Sequence, residues 1–173
     1  MKQHLMIALI GIALLLAAVP ALRGEEAGPE ALIARARAVV LSPHFSREAI
    51  NGALLDVLDA SLLILPRTDR TKECRSRIEE AKKPIVQGEL FSEKAYGDLG
   101  LAYKSVSGGT AWKIPEELTA AGAGSKGIEQ ATKICDKLLD SALAAHKAGR
   151  SEESVRDLLD MVILIVTPIE AGR

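Results

Sequence analysis

A chain of 173 residues with 48% apolar residues can bury one sizeable core, and its net charge of −1 excludes the strong positive excess that nucleic-acid binders use to hold phosphate. Aromatic residues make up only 3%, so the core must be aliphatic, and the few rings carry most of the shape-specific, hydrogen-bonding surface.

Residues 1–21 read as a secretory signal peptide: Lys2, an apolar run from Leu5 to Val19, and the small-residue pattern Val19-Pro20-Ala21 for cleavage after Ala21. The apolar run is short for an uncleaved spanning anchor, which needs about 20 apolar residues. The expected address is the periplasm or the exterior, with membrane contact only through an uncleaved leader. Residues 22–28 read as a flexible acidic lead-in, and residues 29–173 as a single helical domain.

Pro29 suits the first position of a helix, and Leu32, Ile33, Ala36 and Val40 repeat at helical spacing to about Leu41. Ser42-Pro43-His44-Phe45 breaks the run. Ser46 then caps a second helix that Pro66 stops. Ile50, Leu54, Val57, Leu58, Ser61, Leu62 and Leu65 share one broad face, and Leu55, Leu63 and Ile64 extend it. Only Gly52, Asp56, Asp59 and Ala60 form a weakly polar strip, the pattern of a helix buried almost all round.

Thr68 or Asp69 opens a third helix expected to end before Pro84. Its apolar stripe is thin (Cys74, Ile78, Ala81), and its basic residues interleave with Glu73, Glu79 and Glu80. That alternation reads as a solvated, salt-bridged face rather than a basic surface for anionic lipid or wall polymer. Ser92 caps a fourth helix to about Val106, with the stripe Tyr96, Leu99, Tyr103 and Val106. Gly97 and Gly100 each cost about 1 kcal/mol relative to alanine, which points to close approach of another helix or a ligand. A loop with Trp112 and Pro115 follows. The fifth helix runs from a cap at Ser125 to about Ala148, along the stripe Ile128, Ala131, Cys135, Leu138 and Ala142. Gly149 closes it in the left-handed conformation, and Ser151 opens a sixth helix, to about Thr167, that forms a hairpin with it. The expected fold is all-α, an irregular antiparallel bundle of five to six helices preceded by the signal peptide.

One internal echo runs through the chain. Leu54-Leu55-Asp56-Val57-Leu58-Asp59 with Leu62-Leu63-Ile64-Leu65 matches Val155-Arg156-Asp157-Leu158-Leu159-Asp160 with Ile163-Leu164-Ile165-Val166. Duplication of a helical hairpin and convergence on one binary pattern both produce such a match.

Cys74 and Cys135 lie on apolar stripes of separate helices. In an oxidising compartment an even pair reads as a disulfide, whose long loop would add about 4 kcal/mol on the chain-entropy model. The alternative is two free buried thiols.

Gly122-Ala123-Gly124-Ser125-Lys126-Gly127 spells G-x-G-x-x-G, but the preceding Glu116–Ala121 is not a strand, so the dinucleotide context is missing. A plain anion at that helix start, held by Ser125, Lys126 and Gly127, is the weaker alternative to a flexible link. No metal or cofactor is expected. His44 and His146 lack partners at ligand spacing, and the acid pairs Asp56/Asp59, Asp136/Asp140 and Asp157/Asp160 would form a site only if their helices converged. No catalytic residue is assigned, because no nucleophile elbow or base pairing stands out.

The remaining signal is the concentration of rings. Tyr96, Tyr103 and Trp112, with Lys113, are expected to line a groove for a small ligand or a protein partner; the alternative is that the rings cover one end of the bundle. The function expected is therefore that of an exported, non-enzymatic binding protein of the bacterial cell envelope. A metal- or anion-binding accessory protein and a hydrolase with a histidine-containing site are the alternatives.

Overall fold

The computed structural model describes residues 27–44, 46–89, 92–121 and 124–167, and every regular element among them is an α-helix. The elements are α1 (Pro29–Val40), α2 (Arg47–Ile64), α3 (Asp69–Val86), α4 (Glu93–Val106), α5 (Glu116–Ala121), α6 (Ser125–Lys147) and α7 (Ser151–Val166). The expected leader and most of the lead-in lie outside the described residues. None of the described helices is long and apolar enough to cross a membrane.

Local signals set most of the boundaries. Ser46 Oγ accepts the Ala49 N–H at 3.1 Å and starts α2, and Ser92 Oγ accepts the Ala95 N–H at 3.5 Å and starts α4. Gly149, at φ +70°, ends the α6 turn while the Arg150 N–H bonds back to the Ala145 carbonyl at 2.9 Å. α1 buries the expected Leu32, Ile33, Ala36 and Val40.

Four expectations are corrected. α3 does not stop before Pro84 but continues to Val86. Pro84 forfeits one helical bond near the end of the helix, and the burial of Pro84 and Ile85 against the core offsets it. Among the described residues the helix count rises to seven, because Glu116–Ala121, expected as loop, makes a six-residue helix that buries Leu118. α6 is preceded by Gly124 at φ +106° rather than capped by the Ser125 side chain. On α4 the buried residues are Ala95, Asp98, Leu99 and Ala102, so the stripe is rotated from the expected one; Tyr96 is 40% exposed, and Tyr103 and Val106 are half-buried. The rotation follows from the α3 seam. There Arg77 on α3 donates to the buried Asp98 at 3.0 Å, and small alanines allow the two helices to approach while the rings turn to the flank.

Arg47 at the start of α2 donates to the Gly88 carbonyl just beyond α3 at 2.9 Å, and Arg75 near the start of α3 donates to the Leu65 carbonyl at 2.9 Å and to that of Leu62. The Arg75 bonds satisfy terminal carbonyls of α2, the Arg47 bond satisfies one just past α3, and together they fix α2 and α3 antiparallel. Arg70, near the start of α3, meets Glu152, near the start of α7, at 3.0 Å. α7 therefore starts where α2 ends, and these two helices also run antiparallel. α4 finishes at that same end, whereas α6 must begin at the far end to finish there. Residues 107–121 consequently lead back along the bundle, with α5 packed on α6.

The packing scheme has two layers of three helices, α1–α2–α3 over α6–α7–α4, with α1 on α6, α2 on α7 and α3 on α4. Exchanging α1, α2 and α3 with α6, α7 and α4 leaves this scheme unchanged. The sequence echo sits on its two central members. α7 is the more enclosed, with ten of its 16 residues buried. In each copy the first acid is held from the preceding helix: Asp56 by Arg35 at 2.7 and 3.1 Å, and Asp157 by Ser141 Oγ at 2.5 Å. The second acid is held from the opposite flank, Asp59 by Lys82 at 2.5 Å and Asp160 by Trp112 at 2.7 Å. This is the arrangement a duplicated hairpin would leave.

The expected disulfide is not formed: Cys74 and Cys135 are both buried and free. α3 packs on α2 and α4, and α6 packs on α7, α1 and α5, so the central helices stand between the two sulfurs. Burial pushes the Cys74 thiol up, and burial together with the Asp160 charge pushes Cys135 up to about 12. Two thiols per chain should therefore react with a thiol reagent in denatured, unreduced protein, and neither in the native protein. An intact mass two hydrogens short, with no titratable thiol, would restore the bond.

Candidate functional site

The candidate site is built on one face of α4. Tyr96, Gly100 and Tyr103 follow one another at steps of four and three residues, so they stack on the same side of the helix. The chain then turns through Gly108 at φ +66° and Gly109 at φ +90°, conformations that L side chains rarely adopt, and the Gly109 N–H bonds to the Lys104 carbonyl at 2.9 Å. That turn sends the long link back beside α4 and α7. Trp112 arrives with its ring edge-on to Tyr96, at 6.5 Å between centroids and 90° between planes. This is one of the favoured arrangements for two rings. Its Nε1–H donates to Asp160 Oδ1 at 2.7 Å.

Asp160 is the residue that composition and spacing did not single out as a binding group. Burial raises its carboxyl above the usual 3.8, the Trp112 hydrogen bond opposes that rise, and the neighbouring Asp157 adds to it. Its second oxygen, Oδ2, has no hydrogen-bond partner among the described residues. The only fully enclosed side-chain oxygen left without a partner among those residues is Asn51 Oδ1, so Asp160 Oδ2 keeps contact with open space. Tyr103 lies close enough that burial and then the Asp160 charge raise its hydroxyl pKa. Arg156 does not neutralise Asp160 by a direct bond, since its Nε and Nη2 both donate to Asp157, at 3.2 and 3.1 Å. Burial works against the Arg156 charge, but the bond to Asp157 and nearby carboxylates outweigh it and raise its pKa.

The two helical glycines do not mark a helix–helix approach. A methyl group placed on Gly97 or Gly100 would meet nothing within 4 Å. Gly100 lies between Tyr96 and Tyr103 on the ring-bearing face, and the space above it is open. Trp112 ties this face to α7 through its edge-on contact with Tyr96 and its bond to Asp160.

The structure thus brings Tyr96, Tyr103 and Trp112 together around a carboxylate, while Lys113 is exposed beside them on the link. Ser125 and Lys126 are exposed in the first turn of α6, and Gly127 is buried. The acid pairs do not converge. Asp136 and Asp140 are bridged by Arg37 from α1 at 2.7 and 2.5 Å, and Asp56 and Asp59 are paired with bases on opposite flanks of α2. Among the described residues no three His, Cys, Asp or Glu side chains gather into a possible metal site. His44 is exposed on the α1–α2 link and His146 is half-buried near the end of α6. Cys135, behind Asp160, is too weakly acidic to supply a thiolate at neutral pH. The arrangement offers rings on one flank of α4 and, beside Trp112, a carboxylate with one oxygen that has no hydrogen-bond partner among the described residues. No family model, curated protein or solved structure matches this chain, so the chemistry of this face has to indicate its use.

Proposed function

We propose that the protein is an exported, non-enzymatic binding protein of the bacterial cell envelope, which takes a small ligand or a segment of a protein partner on the face formed by Tyr96, Tyr103, Trp112 and Asp160. The observation that carries this reading is the Asp160 carboxylate, bonded on one oxygen to the indole that packs edge-on against Tyr96 and without a hydrogen-bond partner among the described residues on the other. Burial raises its pKa, and a binding partner would take the place of water on the accessible oxygen. The leader pattern supports export.

Native mass spectrometry of protein purified from its own envelope tests this reading. The spectrum should show a chain beginning at Leu22 that carries an adduct, and the adduct should vanish from a Gly100→Leu variant, whose new side chain covers the face between Tyr96 and Tyr103. An equal adduct on both proteins, or none on the wild type, would overturn the proposal.

A further inference from the structure

Beyond the binding face proposed above, we infer that the outer side of α4 docks against the same side of a second copy of this chain, with the two helices antiparallel. α4 buries Ala95, Asp98, Leu99 and Ala102 and turns its opposite side to solvent. Steps of four, three and four residues put Glu93, Gly97, Gly100 and Lys104 on one line along that side, with Tyr96 and Leu101 on its two flanks. Tyr96 is 40% and Leu101 45% exposed, and among the described residues α4 is the one helix with two large exposed apolar side chains. No helix of the same chain approaches Gly97 or Gly100, where an added methyl group would meet nothing within 4 Å. Glycines inside a helix weaken it, and their value is that a second helix can come close.

Turned end for end about the midpoint between Asp98 and Leu99, this side of α4 matches itself. Gly97 meets Gly100 of the second copy where the helices cross. Tyr96 then lies over Gly100 of the second copy and Leu101 over its Gly97, so each large side chain faces a glycine, and two-fold symmetry makes every contact twice. Charge fixes the orientation. Glu93 and Lys104 are exposed and neither is ion-paired among the described residues, whereas Lys94 meets Glu80 at 3.5 Å and Asp98 meets Arg77 at 3.0 Å. Antiparallel packing sets Glu93 of each copy against Lys104 of the other. Parallel packing would set Glu93 against Glu93 and Lys104 against Lys104, which is repulsive at both ends. Trp112, edge-on to Tyr96 at 6.5 Å, braces that ring from the flank and leaves the line of glycines clear.

A single helix of 14 residues offers a small interface, so the expected dissociation constant is on the order of 10–100 μM. Sedimentation equilibrium of the protein isolated from its envelope, loaded from about tenfold below to about tenfold above that range, should show monomer and dimer in exchange. Glu93→Lys and Lys104→Glu should each weaken the dimer at least about tenfold, since each turns both ion pairs into like-charge contacts. The double reversal Glu93→Lys/Lys104→Glu should restore the wild-type constant to within about threefold, a rescue that a general loss of structure would not give. Gly97→Leu should leave only monomer while raising the thermal stability of that monomer, because leucine favours the helix but takes the place of Leu101 of the second copy. A monomer at every concentration would overturn the inference. So would a dimer that the single reversals do not weaken, that the double reversal does not restore, or that survives Gly97→Leu.

Discussion

Replacing Leu58 or Leu159 by alanine should cost about 3–5 kcal/mol each, the range for emptying a fully enclosed leucine site. Both side chains are completely buried, one in each of the two central helices, and they occupy equivalent places in the repeated D-x-L-D pattern. Each helix is clamped on several sides, α2 by α1, α3 and α7 and α7 by α2, α4 and α6. The surroundings therefore have little freedom to collapse into the vacated volume, which puts the cost in the upper part of the leucine-to-alanine range. Leu63 supplies the control: it lies on α2 between half-buried Leu62 and buried Ile64 but is 58% exposed, and its replacement by alanine should cost below about 1 kcal/mol. Urea unfolding would give these values from the shift in midpoint at unchanged slope. Because a domain of this size holds only about 5–15 kcal/mol, the double variant Leu58→Ala/Leu159→Ala is expected to be largely unfolded at 37 °C. If Leu63→Ala proved as costly as Leu58→Ala, the placement of α2 between two layers would be wrong.

The features legible in the sequence were those decided by local chemistry or by overwhelming apolar content. The α1 stripe, the Ser46 cap, the Gly149 turn and the central standing of α2 and α7 all follow from residues within one or two helical turns of each other. What escaped was decided across the fold. The rotation of α4 depends on Arg77, 21 residues before Asp98, so a stripe of large apolar residues on α4 alone pointed to the wrong face. α5 is too short for periodicity to show. The disulfide followed from compartment and an even cysteine count, neither of which says on which edge of the bundle a helix will lie. The gathering of Tyr96, Tyr103 and Trp112 was legible because they are close in sequence. The carboxylate they surround was not, since Trp112 and Asp160 are 48 residues apart and an acid on a polar strip usually faces water. A sharper signal was available: on a helix as apolar as α7, a single indole donor elsewhere in the chain is a natural partner for an acid that cannot reach bulk water on every side.

Trp112→Phe should cost about 2 kcal/mol at neutral pH, and the cost should shrink as the solution is acidified. Phenylalanine keeps most of the ring contact with Tyr96 but removes the only donor to Asp160 among the described residues, a hydrogen bond to a charged group, which is worth roughly 1.5–3 kcal/mol. The pH dependence has a definite sign. Burial raises the Asp160 pKa in the folded state above its ordinary 3.8, so between those two values the folded protein binds more protons than the unfolded chain. Stability from this group therefore rises as pH falls through the raised value and levels off below the ordinary one. Losing the Trp112 donor, which opposes the rise, widens that window upward. The variant should accordingly lose most relative to wild type at neutral pH and recover part of the difference as pH falls through its own raised Asp160 value. Glu48, Glu80 and Glu129 have lowered pKa values and act in the opposite sense, but the substitution leaves them in place, so their contribution cancels between variant and wild type. In an Asp160→Asn background the same Trp112→Phe change should cost only about 1 kcal/mol, the value of a neutral hydrogen bond, with no pH dependence between 7.5 and 5. Trp112→Ala should cost more than Trp112→Phe in both backgrounds, about 3 kcal/mol with Asp160 present, because it also exposes the apolar surface of the link. A cost of Trp112→Phe that stays constant across this pH range, or that is undiminished by Asp160→Asn, would show that the indole acts by its bulk alone and that its bond to the carboxylate contributes nothing to the fold.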